Sequence, residues 1–145
     1  MAKYQMRNRW PLCFSQNPIW RNTLADRMMI LIAGPYRSGT GDDLQKMAEN
    51  VHFMESFALP IFRLGHIPVL GEWFALPLVE LAGSTQVGDE AFNEIFHPIA
   101  ERLLEKCEAV LRVGGASQGA DLMVEVAHRR GLQVYTQLEE IPSTK

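Results

Sequence analysis

Apolar residues along this chain form short continuous runs that alternate with longer stretches of helical spacing. The short runs are typical of buried strands and lie at residues 29–33, 67–70, 109–113 and 133–136. Between them, apolar side chains recur every three or four residues, as in amphipathic helices. Strands separated by helices pair in parallel through right-handed crossovers. The pattern therefore predicts a doubly wound α/β domain, most simply with strand order 2-1-3-4 and room for a fifth strand.

Residues at the helix ends mark three amphipathic helices. The first is predicted to begin after Asp42 or Asp43 and to end at Gly65. A proline inside a helix removes one hydrogen bond, so Pro60 should kink the last turn. Two further helices are predicted, after Asp89 and over residues 120–130. Helices on both faces of the sheet would give the domain three layers.

Residues 71–88 show neither the short apolar run of a strand nor the regular spacing of a helix. They are nevertheless too apolar for a disordered loop. We expect a lid or a partner-facing segment there, with a short helix around residues 74–81. The apolar part, residues 73–81, exceeds what a lid over a small ligand needs, so it also predicts a homo-oligomer. In that assembly, the segment of one subunit would close the pocket of its neighbour.

Length and composition set the number of domains. With 145 residues, 47% of them apolar, the chain can bury one core and is too short for two ordinary domains. We assign residues 28–138 to this domain, residues 1–27 to an appended extension and residues 139–145 to a loose tail. The extension is basic and contains prolines, which indicates a disordered segment or, more weakly, an organelle targeting peptide. A start assigned too early is the other interpretation, with Met28 or Met29 as the natural beginning.

Charge and cysteine content exclude several classes of partner. The net charge is −3, and five of the 14 Lys and Arg residues lie in the first 27 positions. The remainder is therefore acidic and offers no cationic face to nucleic acid. No apolar run approaches the roughly 20 residues of a membrane span, so we expect a cytoplasmic protein. Cys13 and Cys107 lack metal-site spacing, so we expect no metal and no cofactor, with Cys107 as a buried thiol.

Two glycine-rich turns follow the first and third predicted strands, at residues 34–41 and 114–119. In the order 2-1-3-4, the direction of winding reverses between these two strands. Both turns should therefore meet at the carboxyl edge of the sheet, where open α/β sheets bind their ligands. The sequence thus predicts one crevice with a glycine-rich turn on each wall.

These turns lack the common phosphate-binding and catalytic motifs. Thr40 stands where a P-loop requires lysine, and neither turn has the Gly-x-Gly-x-x-Gly spacing of a dinucleotide fingerprint. The chain also has no His-Glu-x-x-His, Cys-x-x-Cys or Gly-x-Ser-x-Gly motif. A general anion cradle remains, with helix amides near Gly119 and the Ser117 hydroxyl on one wall. Arg37 and Ser38 would face them, unless Ser117 only caps its helix and Arg37 is solvated.

Six short motifs are spread over the predicted domain. They are Ile-Ala-Gly-Pro-Tyr at 32–36, Asn50, Gly-His-x-Pro-Val at 65–69, Cys-Glu-Ala-Val at 107–110, Ser-x-Gly-Ala-Asp at 117–121 and Ala-x-x-x-Gly-x-x-Val at 127–134. In this order and spacing the chain resembles the nucleoside 2-deoxyribosyltransferase-like superfamily, in particular its little-characterised bacterial and phage branch. Each motif is short, so the match depends on their order and spacing.

The resemblance implies a flavodoxin-like fold that binds a nucleoside or nucleotide in the crevice. In that superfamily, the loop after the first strand contacts sugar or phosphate, and a serine in the later glycine-rich loop assists with phosphate. The ligand-binding residues predicted from the turns and the resemblance are Gly34, Pro35, Tyr36, Arg37, Ser38, Trp73, Gly115, Ser117 and Gly119. Trp73 would be either an aromatic platform for a base or an ordinary anchor of the lid.

The resemblance also implies a nucleophilic glutamate six residues after the serine, but this chain has Met123 there, and Ala100 where an aspartate is common. A thioether cannot trap an oxocarbenium centre as a carboxylate does. Asp121 and Glu72 are therefore the candidate catalytic acids. Asp121 has the alternative role of stabilising the amino end of its helix. Glu125 is expected to face solvent.

The leading hypothesis is a site for a nucleoside or nucleotide, with N-glycosidic hydrolysis or deoxyribosyl transfer by a non-standard carboxylate. The alternative is a catalytically silent nucleotide-binding or interaction module that kept the cradle and lost the nucleophile. Among the histidines, we expect His97 in packing or at the surface, and His66 in the turn before the second strand.

Overall fold

The computed structural model describes residues 27–144, and its strands form a single parallel sheet. The strands are β1 (Met29–Ala33), β2 (Ile67–Leu70), β3 (Ala109–Arg112) and β4 (Gln133–Tyr135), in the order β2-β1-β3-β4. The helices are α1 (Leu44–Glu55), α2 (Ala58–Arg63), α3 (Gly71–Leu81), α4 (Glu90–Leu104) and α5 (Gln118–Arg129). The predicted class and the 2-1-3-4 order are confirmed, and the arrangement is consistent with a flavodoxin-like fold. The described residues contain no fifth strand.

Strand β1 is the centre of the fold because it pairs with β2 on one side and with β3 on the other. Its side chains alternate between two apolar clusters, one on each face of the sheet. One cluster includes Ile30, Ile32, Met54, Leu70 and Tyr135. The other includes Leu31, Ala33, Val69, Met123 and Ala127. Burial on both faces explains why this strand is a continuous apolar run rather than an alternating one.

The predicted single helix with a kink at Pro60 is wrong, because the chain forms two helices there. Helix α1 ends at Glu55, and α2 begins at Ala58. Proline has no amide hydrogen, and its ring clashes with the carbonyl of the residue four positions earlier, here Ser56. The helix therefore breaks before the proline, and Pro60 lies in the first turn of α2, where a missing donor costs nothing.

The segment after β2 is more regular than its sequence suggests. Helix α3 begins directly at Gly71, three residues before the predicted short helix, and includes Pro77. The irregular part is confined to the residues between α3 and α4, and Asp89 organises it. The Asp89 carboxylate accepts hydrogen bonds from the backbone amides of Phe92 at 2.8 Å and Thr85 at 2.9 Å. These bonds lower its pKa to about 2, as expected for an N-cap carboxylate.

The prediction of a loose carboxyl-terminal tail is wrong for residues 139–144. Ile141 is buried in the core cluster around β1, and the amide of Thr144 donates to the carbonyl of Leu64 at 2.9 Å. His66 holds the tail from the inside: its Nδ1 accepts the Met28 amide at 3.1 Å, and its Nε2 lies 2.6 Å from the Pro142 carbonyl oxygen. One isolated apolar residue among polar ones carried no periodic signal from which this packing could be predicted.

Residues 1–26, which make up nearly all of the predicted extension, lie outside the described residues. Within residues 27–144, every helix is too short or too polar to cross a membrane.

We expect His66→Ala to lower the free energy of unfolding by about 2–4 kcal/mol, because it leaves a cavity and removes the partner of two part-buried backbone groups. The size of the effect follows from the burial of His66, which is 1% exposed. The change is measured by urea unfolding, with exposed His128→Ala as the matched control. Equal stability of the two variants would show that the tail does not depend on His66.

Candidate functional site

The two glycine-rich turns lie side by side at the carboxyl edge of the sheet. Pairing of β1 with β3 continues past the strand ends, because the Val113 amide donates to the Ala33 carbonyl at 2.9 Å. A Cβ atom at Gly34 would lie 3.1 Å from side-chain atoms of Met54 and Val113, so the turn passes closely over the core. At Gly114, φ is +77° and a Cβ atom would lie 2.7 Å from the ring of Pro35. Larger residues at these positions would push the turns apart.

A cavity of about 210 Å³, here called the crevice, lies between these turns and two helices. Its walls are the turn after β1, the first turn of α3, one face of α4 and the amino end of α5. The lining residues are Gly34, Tyr36, Arg37, Ser38, Glu72, Phe92, Asn93, Phe96, His97, Ser117, Gln118, Gly119 and Ala120. Six of the nine predicted ligand-binding residues share this cavity with Glu72, namely Gly34, Tyr36, Arg37, Ser38, Ser117 and Gly119.

Tyr36 forms the aromatic part of the wall. Its ring stacks on Phe96 with the centroids 4.9 Å apart, and Phe96 stacks on Phe92 at 4.6 Å. A hydrogen bond from α1 fixes the backbone at Tyr36: the Asn50 side-chain amide donates to the Tyr36 carbonyl at 2.9 Å. Burial, and then the charge of Glu72, raise the pKa of the Tyr36 hydroxyl. Tyr36 is therefore a neutral hydrogen-bonding group at physiological pH.

Arg37 is paired within its own loop and remains exposed to solvent. Its guanidinium donates from Nε to Asp42 at 2.6 Å and from a terminal nitrogen to the same carboxylate at 2.9 Å. It also covers Gly88, where a Cβ atom would lie 2.7 Å from the guanidinium. The Arg37 side chain is 47% exposed, so the pair is accessible to water. An anion in the crevice would have to compete with Asp42 for this charge.

Ser117 caps its helix and also lines the crevice, although the sequence analysis treated these roles as alternatives. It is the N-cap of α5, and its hydroxyl oxygen accepts the Ala120 amide at 3.2 Å. It is also buried and lines the crevice beside Gly119. A Cβ atom at Gly119 would lie 3.1 Å from Cε1 of His97, so glycine allows α4 and α5 to approach closely. His97, expected in packing or at the surface, is exposed and also lines the crevice.

Glu72 is the carboxyl group of the crevice. Because Leu70 of β2 pairs with Ile32 of β1, the first turn of α3 begins level with the turn after β1. Burial there raises the pKa of the Glu72 carboxyl from 4.5 to about 7, and only a hydrogen bond from its own backbone amide opposes this shift. A carboxyl group with this pKa exchanges its proton near neutrality, as acids and bases in enzyme sites do.

The other predicted acid, Asp121, lies outside the crevice. It borders a separate cavity on the far side of the turn after β3, and its side chain is 68% exposed. Its carboxylate accepts a hydrogen bond from Arg112 Nε at 3.1 Å. Glu125 lies 4.0 Å from Arg129 in an exposed pair, as expected for a solvent-facing residue. Of the candidate acids, only Glu72 is therefore brought together with both turns.

Three further predicted binding residues do not line the crevice. Trp73 points toward α1, where its indole nitrogen donates to Glu55 at 2.8 Å. That bond, together with a weaker contribution from His52, lowers the pKa of the Glu55 carboxyl. Pro35 and Gly115 line a neighbouring cavity instead.

The positions where the resemblance implies carboxylates are apolar packing positions here. Met123 is 5% exposed and belongs to the core cluster that contains Leu31 and Ala33. Ala100 packs on α3, since a Cβ atom at Gly71 would lie 3.1 Å from its methyl group. Both sites therefore contribute to packing beneath the crevice rather than to its lining.

The sequence analysis missed the wall that α4 contributes. Phe92, Asn93, Phe96 and His97 line the crevice from this helix. Their spacing of one, three and one residues places them on one helical face, next to the N-cap Asp89. That spacing was visible in the sequence, but it is equally typical of a helix face packed in a core. Nothing in residues 27–144 groups three or more His, Cys, Asp or Glu side chains as a metal site requires.

We expect Glu72→Gln to stabilise the fold at pH 8 by up to about 3 kcal/mol, with almost no effect at pH 4. The folded-state pKa of about 7 exceeds the ordinary value of 4.5, so the wild-type protein loses stability as the pH rises between these values. Above pH 7 the Glu72 carboxyl is ionised, so the wild-type protein bears the full free-energy cost of burying this charge. Glutamine is uncharged and has no such cost. Urea unfolding at pH 4, 6 and 8 measures the difference, and a pH-independent difference would contradict this account.

No family model, curated protein or solved structure matches this chain. The resemblance to the nucleoside 2-deoxyribosyltransferase-like superfamily therefore rests on the short motifs alone.

Proposed function

We propose that this protein binds a nucleoside or nucleotide in the crevice and cleaves its N-glycosidic bond, with Glu72 as the catalytic carboxylate. The observation that carries the proposal is the position of Glu72: a desolvated carboxyl group with a pKa of about 7, in one small cavity with the turns after β1 and β3. The motifs of the sequence support the ligand class. The geometry supports Glu72 over Asp121 as the acid.

In this mechanism the ionised Glu72 attacks the anomeric carbon of the sugar. A carboxylate oxygen bonds to that carbon while the carbon–nitrogen bond breaks, and the bonding electrons leave with the base. Water then attacks the same carbon, its hydroxyl group joins the sugar, and the Glu72 carboxylate is released. The remaining proton of that water balances the charge on the departing base. If a second base attacks in place of water, the sugar is transferred instead of hydrolysed.

The neighbouring groups suit the binding of a sugar and its substituents. The Tyr36 hydroxyl and the Asn93 side chain can hydrogen-bond to sugar hydroxyls. Ser38 and Ser117 bring hydroxyl groups to the same cavity from opposite turns. Because the crevice is narrow, a bound sugar would exclude water from Glu72 and strengthen its interactions with developing positive charge.

A silent nucleotide-binding module is the second candidate. The observation that favours it is the burial of Met123, since the position that the resemblance assigns to the nucleophile is part of the core. In such a module the crevice would still bind the ligand, but no base would be released. A small-molecule ligand, a cytoplasmic location and the absence of a nucleic-acid partner remain predictions from the sequence.

We expect the wild-type protein to release free base from deoxynucleosides or their 5′-monophosphates, and Glu72→Gln to lower kcat/KM by at least about 100-fold. Because attack requires ionised Glu72, kcat/KM should rise with pH and level off above pH 7. Chromatography of the free base measures both quantities. The matched control is Asp121→Asn, which changes an exposed acid outside the crevice and should retain most of the activity. Ligand binding without base release would favour the silent module, and equal losses in both variants would contradict the role of Glu72.

Helix α3 also carries the surface for the proposed homo-oligomer. Four large apolar side chains lie along this helix and remain 40–83% exposed, namely Trp73, Phe74, Leu78 and Leu81. A contiguous apolar stripe of this kind is typical of a surface that contacts another chain. The helix also supplies Glu72, so a second copy that binds this stripe would lie near the crevice.

We expect the protein to form a homo-oligomer at micromolar concentration and Leu78→Glu/Leu81→Glu to dissociate it, because buried unpaired carboxylates at the contact are unfavourable. Light scattering during size-exclusion chromatography measures the mass. The control is Leu59→Glu, which places a charge on a 53% exposed leucine of α2. A wild-type monomer would contradict the proposed assembly.

A further inference from the structure

The crevice is one end of a longer groove. A second cavity of about 530 Å³, here called the central cavity, lies over the two glycine-rich turns. It shares Ser38, Ser117 and Gln118 with the crevice. The two cavities are therefore neighbours, and these side chains stand between them.

The groove continues beyond the central cavity. A third cavity of about 640 Å³, here called the outer cavity, shares Gly115 and Ala116 with the central one. It lies on the far side of the turn after β3, over Phe57 and Leu138. The three cavities are thus joined in sequence by shared residues, and they run along the carboxyl edge of the sheet. The crevice alone is smaller than the roughly 300–1,000 Å³ of a typical ligand pocket, whereas the groove is much larger.

The chemistry of the groove changes along its length. The central cavity has no charged side chain in its lining, and it presents the hydroxyl groups of Ser38 and Ser117 beside the amino end of α5. These are uncharged donors that suit an anionic linker. The outer cavity has an apolar floor and carries Asp121, Glu139 and Thr136 at its edge.

The arginine of the outer cavity is already neutralised. Arg112 donates to Asp121, to the Gly115 carbonyl at 2.7 Å and to the carbonyl of Val113. Its charge is paired with the Asp121 carboxylate, and three of its five N–H groups already donate hydrogen bonds. Carboxylates and backbone carbonyls accept hydrogen bonds, so the edge of the outer cavity favours a planar ring that carries N–H donors. A nucleobase with an exocyclic amino group has this chemistry.

We propose that the groove binds a dinucleotide, in which two nucleosides are joined through their phosphates. The reacting nucleoside lies at Glu72, the phosphates cross the central cavity between Ser38 and Ser117, and the second base rests over Phe57 and Leu138. This inference rests on the proposed function and adds the substrate class. A mononucleotide would fill the crevice and part of the central cavity, and would leave the outer cavity empty.

Gly115 offers a direct test because it stands where the central and outer cavities meet. A Cβ atom there would have no neighbour within 4 Å, and the residue does not adopt a positive φ. A leucine at this position can therefore be accommodated without backbone strain, and its side chain would obstruct the passage. Gly115→Ala is the milder second variant, and Glu101→Leu is the matched control on the exposed face of α4, outside all three cavities.

The experiment measures Kd by calorimetry for adenosine monophosphate and for diadenosine diphosphate. Every protein in it, including the one called wild-type here, also carries Glu72→Gln, so that neither ligand is cleaved during the titration. We expect the wild-type protein and Glu101→Leu to bind the dinucleotide at least about tenfold more tightly, which corresponds to about 1.4 kcal/mol. Gly115→Leu should reduce this ratio to near one, and Gly115→Ala should have a smaller effect in the same direction. Equal affinities for the two ligands in the wild-type protein would contradict dinucleotide binding along the groove. A ratio that Gly115→Leu leaves unchanged would contradict it too.

The outcomes separate this inference from the proposed function. If adenosine monophosphate binds as tightly as the dinucleotide and base release still depends on Glu72, the proposed dinucleotide binding is wrong and the proposed function stands. If neither ligand binds and no base is released from any nucleoside, the proposed function fails, and the dinucleotide groove fails with it.

Discussion

Parallel pairing of β1 with both of its neighbours is the constraint on which the rest of this structure depends. In this register, Leu70 of β2 lies beside Ile32. On the other side, Arg112 of β3 lies beside Ala33. Three strands therefore end at one level, and the chain leaves each of them at the same edge of the sheet. The turn after β1, the first turn of α3 and the amino end of α5 meet there because the strands stop together.

The acids around this edge differ in what compensates their charge. Asp42 and Asp121 are paired with arginines, and Asp89 accepts backbone hydrogen bonds that lower its pKa. Glu72 is partly buried, and the hydrogen bond that favours its ionised form comes from its own backbone amide. Its charged form therefore costs stability, and its pKa lies near neutrality. Stability alone would favour an uncharged side chain at this position, and this cost is one of the observations on which we base the catalytic role proposed for Glu72.

The walls of the crevice are fixed by polar contacts outside it. Asn50 holds the backbone at Tyr36, and Asp42 pairs with Arg37. On the opposite side, Asp89 caps α4 and orders the preceding loop, whose Gly88 packs under the Arg37 guanidinium. The side chains that line the crevice are thus positioned by neighbours outside it. Such support would reduce the entropy lost when the proposed ligand binds.

Local patterns in the sequence determined the strands, their parallel order and the two glycine-rich turns, because apolar periodicity and glycine act over a few residues. The choice between Asp121 and Glu72 was open from the sequence, since burial depends on residues far apart in the chain. Only the tertiary structure placed Arg112 beside Asp121 and left Glu72 in the cavity lined by Tyr36 and Phe96. The break before Pro60 and the packed tail were decided in the same way, by steric and hydrogen-bonding contacts that no periodic pattern records.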